Sequence, residues 1–125
     1  MWVQSRYASE FFSKNGVPFQ NMQNDNSRIN NGNWCLVEKF KGNDIVVYLI
    51  NGGTADIDLT GMGSNPAINP SNTLVSVQWY DPRKGGRLQK GSIQSLTLGS
   101  IQALGEAPNS GNEDWVVLLR CTKGC

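Results

Sequence analysis

Hydrophobic residues recur at every second position along much of the chain, which is the spacing of a strand with one buried face. Within residues 73–80, Val75, Val77 and Trp79 fall on one face, and residues 54–59 alternate in the same way. Other segments are continuous apolar runs, typical of strands covered on both faces. Together these patterns predict about seven strands between residues 34 and 120: 34–40, 45–50, 54–59, 73–80, 87–90, 92–98 and 115–120.

Turn-forming residues separate these segments. The Asn-rich residues 20–33 and the Gly-, Asn- and Pro-containing residues 60–72 and 99–114 are predicted to be loops. Short strands with frequent turns predict a mainly β fold, an antiparallel β-sandwich. A length of 125 residues fits a single domain over residues 1–125.

One segment has helical spacing instead. Val3, Tyr7 and Phe11 lie four residues apart, and Gly16 follows as a C-cap. We therefore expect one N-terminal α-helix over residues 3–14. Its apolar stripe needs a partner: the sandwich, another chain or sequence beyond this one.

Charge and cysteine content narrow the function classes. The net charge of +1 gives no electrostatic reason for binding nucleic acid or an anionic membrane. No apolar run has the length of a membrane span, and the start does not resemble a signal peptide, so we expect a mature region or a fragment. The three cysteines leave two pairings open, Cys121 with Cys125 or Cys35 with Cys121.

Candidate chemistry is sparse because the sequence contains no histidine, the commonest general base and metal ligand. Asp56 and Asp58 share a predicted strand face, roughly 7 Å apart, a spacing seen in inverting glycosidases. They alternate with core residues, so we interpret them as solvated. Glu113 and Asp114 are alternative calcium ligands, but a role in protecting the following strand is simpler. We predict no catalytic residue, metal or cofactor.

Aromatic side chains are the remaining candidates, since exposed Trp and Tyr rings stack on sugar rings. Trp34, Tyr80 and Trp115, with Arg83, form the predicted ligand-binding set. Alternation places Trp79 in the core, and Tyr80 would then point outwards beside Arg83. The alternative is that Tyr80 covers the second face of the sandwich.

Four segments in order resemble a known family: residues 6–12, 46–53, 77–83 and 114–120. The most specific parts are Trp-Tyr-Asp-Pro-Arg, ending at Arg83, and Asp-Trp-Val-Val-Leu-Leu, starting at Asp114. This pattern resembles the "putative collagen-binding domain of a collagenase", which occurs at the C-terminal end of secreted bacterial glycoside hydrolases such as apiosidase-like enzymes. The resemblance implies a β-sandwich packed against a (β/α)8 barrel that carries the catalytic carboxylates.

The resulting hypothesis is a secreted or periplasmic, non-catalytic accessory module of a carbohydrate-active enzyme. It would bind a glycan, a polysaccharide or a collagen-like protein. The alternative is a purely structural domain that braces the barrel without a ligand. In either case the stripe of Val3, Tyr7 and Phe11 is expected to contact the barrel or another chain.

Overall fold

A computed structural model describes residues 10–11, 13–16, 19–30, 33–38, 44–50, 55–59, 73–108 and 113–123. Within these residues lie two short 3-10 helices, Phe19–Asn21 and Asn26–Arg28, and eight strands. The strands are β1 (Met22–Asn24), β2 (Trp34–Glu38), β3 (Asp44–Leu49), β4 (Asp56–Asp58), β5 (Leu74–Tyr80), β6 (Ser95–Leu96), β7 (Ile101–Ala103) and β8 (Trp115–Lys123).

Six strands form one sheet in the order β1-β2-β3-β8-β5-β6, and β4 pairs with β7 in a second sheet. Every strand pair is antiparallel. The longest strand, β8, lies between β3 and β5, and both β3 and β8 are nearly continuous apolar runs. Such runs fit central strands that are covered on both faces. The predicted mainly β, antiparallel fold class is confirmed.

One face of the six-stranded sheet, here the inner face, carries the larger core. Val47 lies opposite Val117, which in turn lies opposite Trp79 on the next strand. Ile57 and Leu104, from β4 and from the residue after β7, belong to the same buried cluster. The two sheets therefore share one hydrophobic core.

The opposite face, here the outer face, carries a cross-strand row that we call the outer row: Trp34, Tyr48, Val116 and Tyr80. Register places Trp34 opposite Tyr48, Tyr48 opposite Val116, and Val116 opposite Tyr80. Phe11 packs on Tyr80, with ring centroids 5.0 Å apart and planes tilted by 50°. A second, smaller apolar cluster forms there.

The Asn-rich segment predicted as a loop, residues 20–33, is tied to both sheets. It contains β1, and its side chains accept main-chain hydrogen bonds. Oδ1 of Asn26 accepts from the N–H of Cys35, and Oδ1 of Asn30 accepts from the N–H of Asp56, each at 2.9 Å. Asparagine side chains thus take the place of main-chain acceptors beside these strands. The Asn-rich composition of the segment does not reveal this role.

The structure differs most from the prediction in the segments where the strand pattern is weakest. Residues 87–90 contribute an isolated bridge between Gln89 and Trp79, and residues 92–98 contribute the short strand Ser95–Leu96. Another short strand, Ile101–Ala103, lies in a segment predicted to be a loop. Strands this short contain too few residues for an alternating pattern to identify them.

Most of the predicted helix over residues 3–14, including Val3 and Tyr7, lies outside the described residues. Glu10, Phe11, Ser13 and Lys14 have helical backbone. The main-chain N–H of Asn15 donates to the carbonyl of Phe11 at 3.3 Å, and Gly16 follows with φ of 62°. This matches the predicted glycine at the helix end.

The cysteine alternatives are resolved for two of the three residues. Cys35 is a buried free thiol, and Cys121 is disulfide-bonded. Pairing of Cys35 with Cys121 is therefore excluded. Cys125 lies outside the described residues.

Candidate functional site

Burial falls steadily across the outer row. Tyr80 is 2% exposed, Val116 is 8% exposed and Trp34 is 56% exposed, while Tyr48 between Val116 and Trp34 is half-buried. Phe11 closes the Tyr80 end of the row. The row therefore ends in an exposed indole on β2, held on a sheet rather than on a loop.

Tyr48, next to this indole, is fixed by a hydrogen bond. Its hydroxyl donates to Oδ2 of Asp114 at 2.8 Å, which links β3 to the residue before β8. Burial raises the pKa of Tyr48 to about 12, and the hydrogen bond to Asp114 adds to the shift. The phenol thus remains a protonated donor at neutral pH.

A second exposed apolar residue, Ile50, follows β3 two positions after Tyr48 and is 41% exposed. Its main-chain N–H donates to Oδ1 of Asn33, the residue before Trp34, at 2.8 Å. Asn33 is itself buried. The ends of β2 and β3 are therefore joined at the place where Trp34 is exposed.

A cluster of Asp81, Arg83, Glu113 and Trp115, here the Arg83 cluster, lies where β5 ends and β8 begins. Nη2 of Arg83 donates to Oδ2 of Asp81 at 3.2 Å, and Nη1 donates to Glu113. The guanidinium also lies 5.8 Å from the centroid of the Trp115 ring, within cation–π range. Asp81 further accepts from the main-chain N–H of Arg83 at 2.9 Å and fixes the turn.

Trp115 belongs both to this cluster and to the inner core. It meets Trp79 edge to face, with ring centroids 6.1 Å apart and planes at 79°. The most specific motifs of the sequence, around Trp79 to Arg83 and around Trp115, are thus two halves of one packed structural unit. Mutual packing accounts for the burial of Trp79 and Trp115.

The family model described as "Putative collagen-binding domain of a collagenase" matches residues 17–120. The chain belongs to this family. The family description names a binding domain, not a catalytic one.

Among solved structures, a protein named "Glycoside hydrolase" is similar to this collagen-binding-family chain, with a TM-score of 0.68 at 16% identity. The similarity covers 94% of this chain and 24% of that protein, so the chain spans about a quarter of its length. At this identity the likeness concerns the fold. A comparison with curated proteins finds no match.

The predicted ligand residues of this family member are not equally accessible. Trp34 is exposed, as expected, whereas the expected exposure of Tyr80 and Trp115 is wrong, since each is 2% exposed. Phe11 covers Tyr80, as the alternative of a Tyr covering the second face required. Arg83, predicted as a contact residue beside Tyr80, is engaged by the carboxylates of its own cluster.

Tyr48 and Asp114 are the site residues that the sequence reasoning missed as a pair. Tyr48 lies inside the apolar run of β3, and Asp114 was considered only as a calcium ligand or protective charge. The register of β3 against β8 brings the two together. No short-range sequence signal connects residues this far apart in the chain.

Other chemistry in the described part of the chain is structural. No group of three or more His, Cys, Asp or Glu side chains there could hold a metal ion, and no helix in that part is long and apolar enough to cross a membrane. Burial raises the pKa of the Cys35 thiol to about 12, which disfavours the reactive thiolate. Asp56 is exposed on β4.

Proposed function

We propose that this chain is a non-catalytic accessory module of a secreted carbohydrate-active enzyme, and that it holds a glycan, a polysaccharide or a collagen-like protein. The exposed Trp34 beside the fixed Tyr48 carries the proposal. A large exposed aromatic on a rigid sheet is an effective contact residue, because little side-chain freedom is lost on binding.

A non-catalytic role is supported by residue composition and by packing in the inner core. The sequence has no histidine, and the motifs shared with the family are used for packing around Trp79 and Trp115. We further infer that the two-stranded sheet packs on the inner face as a small sandwich. Any catalytic carboxylates of a parent enzyme would then lie on another domain.

A structural domain that braces a barrel is the second candidate function. It is favoured by the burial of Tyr80 and Trp115 and by the similarity to a much longer protein. In that case Trp34 would contact the neighbouring domain. The two candidates differ in whether the isolated chain retains any ligand.

A pull-down of the 125-residue chain separates them. We expect retention on insoluble cellulose, xylan or fibrillar collagen, and loss of retention in Trp34→Ala. Ile101→Ala is the matched control, because Ile101 is 66% exposed and lies on the two-stranded sheet. If none of these materials retains the wild-type chain, the structural role of bracing a barrel is favoured instead.

A further inference from the structure

We infer that Cys121 is bonded to Cys125, and that this disulfide holds the end of β8 in place. The sequence contains three cysteines, of which Cys35 is a free thiol and Cys121 is disulfide-bonded. Cys125 is the partner that remains, and the bond then closes a ring over residues 121–125. The inference concerns the covalent state of the module and does not depend on the ligand that it holds.

The strand register keeps Cys35 away from this bond. Cys35 lies opposite Val47, and Val47 lies opposite Val117 on β8. Cys121 follows Val117 by four residues along the same strand. With strands about 4.8 Å apart and a rise of about 3.3 Å per residue, the Cα atoms of Cys35 and Cys121 are about 16 Å apart. Bridged cysteines have Cα atoms within about 7 Å of each other, so the folded chain cannot form that pair.

The end of β8 is the place where a covalent link adds most. Cys121 lies opposite Val75 and is half-buried against the inner core. Leu74, one residue earlier on β5, lies opposite Lys123, so Thr122 is an extra residue that forms a β-bulge. The Thr122 hydroxyl donates to the carbonyl of Leu74 at 3.1 Å. Regular pairing therefore ends just after Cys121, and a bond from its sulfur restrains the strand end beyond that point.

Formation of the bond is a two-electron oxidation. The two thiols lose two protons and two electrons to a small-molecule disulfide, which is reduced to two thiols as the S–S bond forms. Exchange with Cys35 would need its thiolate, but Cys35 is 1% exposed and burial raises its pKa to about 12. The disulfide is thus confined to the C-terminal pair, and such a bond persists in oxidising compartments.

The test maps the disulfide in the unreduced 125-residue chain, with free thiols alkylated in denaturant before digestion. Trypsin cleaves after Arg120 and Lys123, and we expect peptides 121–123 and 124–125 to stay joined until reductant is added. In denaturant the unreduced chain should show one reactive thiol, from Cys35, and the reduced chain three. A disulfide-linked dimer on a non-reducing gel, a cross-linked peptide containing Cys35, or three thiols without reductant would overturn the pairing.

A second measurement tests the role of the bond at the strand end. Reduction of the wild-type chain, or Cys125→Ser, should raise the unfolding equilibrium constant about 30-fold, as expected for a short disulfide ring. Amide hydrogen exchange at Thr122 and Lys123 should become faster. Cys35→Ala is the matched control and should keep the full response to reductant, whereas Cys125→Ser should show none. Unfolding and exchange that reductant leaves unchanged in the wild-type chain would overturn this role.

Discussion

The two faces of the six-stranded sheet use aromatic residues in different ways. On the inner face Trp79 is fully buried, meets Trp115 edge to face and lies among aliphatic residues from both sheets. On the outer face the aromatic row runs from buried Tyr80 to exposed Trp34. The same residue type therefore contributes to stability on one face and is available for contact on the other.

The cause of the difference is coverage. The inner face is covered by Ile57, Leu59 and Leu104, whereas the outer face is covered over Tyr80 by Phe11. The covered end of the outer face holds the sheet in place, so the exposed end forms a rigid surface. Substitutions on each face test this division.

Trp79→Ala should give the largest effect, a loss of about 3–5 kcal/mol in the free energy of unfolding. The substitution leaves a large cavity beside Trp115 in the inner core. Chemical denaturation of the variant and the wild-type chain measures the loss. An unchanged midpoint would contradict the core role of Trp79.

Gly91→Ala should cost about 1–3 kcal/mol, because the inner face has no space for an added methyl group. A Cβ at this position would clash with Nε1 of Trp79 and lie 2.5 Å from the carbonyl oxygen of Glu106. Combining it with Trp79→Phe, which removes the indole nitrogen, should cost less than the sum of the two single changes. Strict additivity in denaturation would show that the clash is relieved elsewhere.

Arg83→Ala should lower the free energy of unfolding by about 1–2 kcal/mol through loss of the hydrogen bonds to Asp81 and Glu113 and of the contact with Trp115. Arg83→Lys should not restore the full stability, because Lys lacks the planar fork. Ligand retention should persist in both variants. Lost retention with unchanged stability would instead make Arg83 a ligand residue.

The inner face was largely predictable from the sequence, and the outer face was not. Alternation identified Val75, Val77 and Trp79, all of which are buried. Tyr48 occupies a nearly continuous apolar run, in which alternation no longer distinguishes the faces. Alternation places Tyr80 on the outer face but does not show whether it is covered. Their exposure depends on strand order and on Phe11, and both are long-range features that local sequence does not encode.

Alkaline pH should lower the free energy of unfolding through one buried group on each face. The pKa of Cys35 on the inner face rises from 9.0 to about 12, and that of Tyr48 on the outer face from 10.0 to about 12, in each case chiefly because of burial. The unfolded chain therefore loses these protons first. Stability from both groups is intact below pH 9 and declines as pH rises towards 12.

Denaturation midpoints measured between pH 8 and pH 11 test this dependence. Cys35→Ala and Tyr48→Phe should each flatten the decline, and Cys35→Ala should act from a lower pH because its thiol has the lower ordinary pKa. Equal slopes in the wild-type chain and both variants would show that neither proton is held by the fold.

Trp34→Ala should give the smallest change in stability, within about 0.5 kcal/mol, because its indole is 56% exposed. It is the matched counterpart of Trp79→Ala: the same side chain is removed from the same sheet, but from the opposite face. Denaturation should leave this variant near the wild-type midpoint while ligand retention is lost. A loss approaching that of Trp79→Ala would mean that Trp34 supports the fold and that the open end of the outer row is not a binding surface.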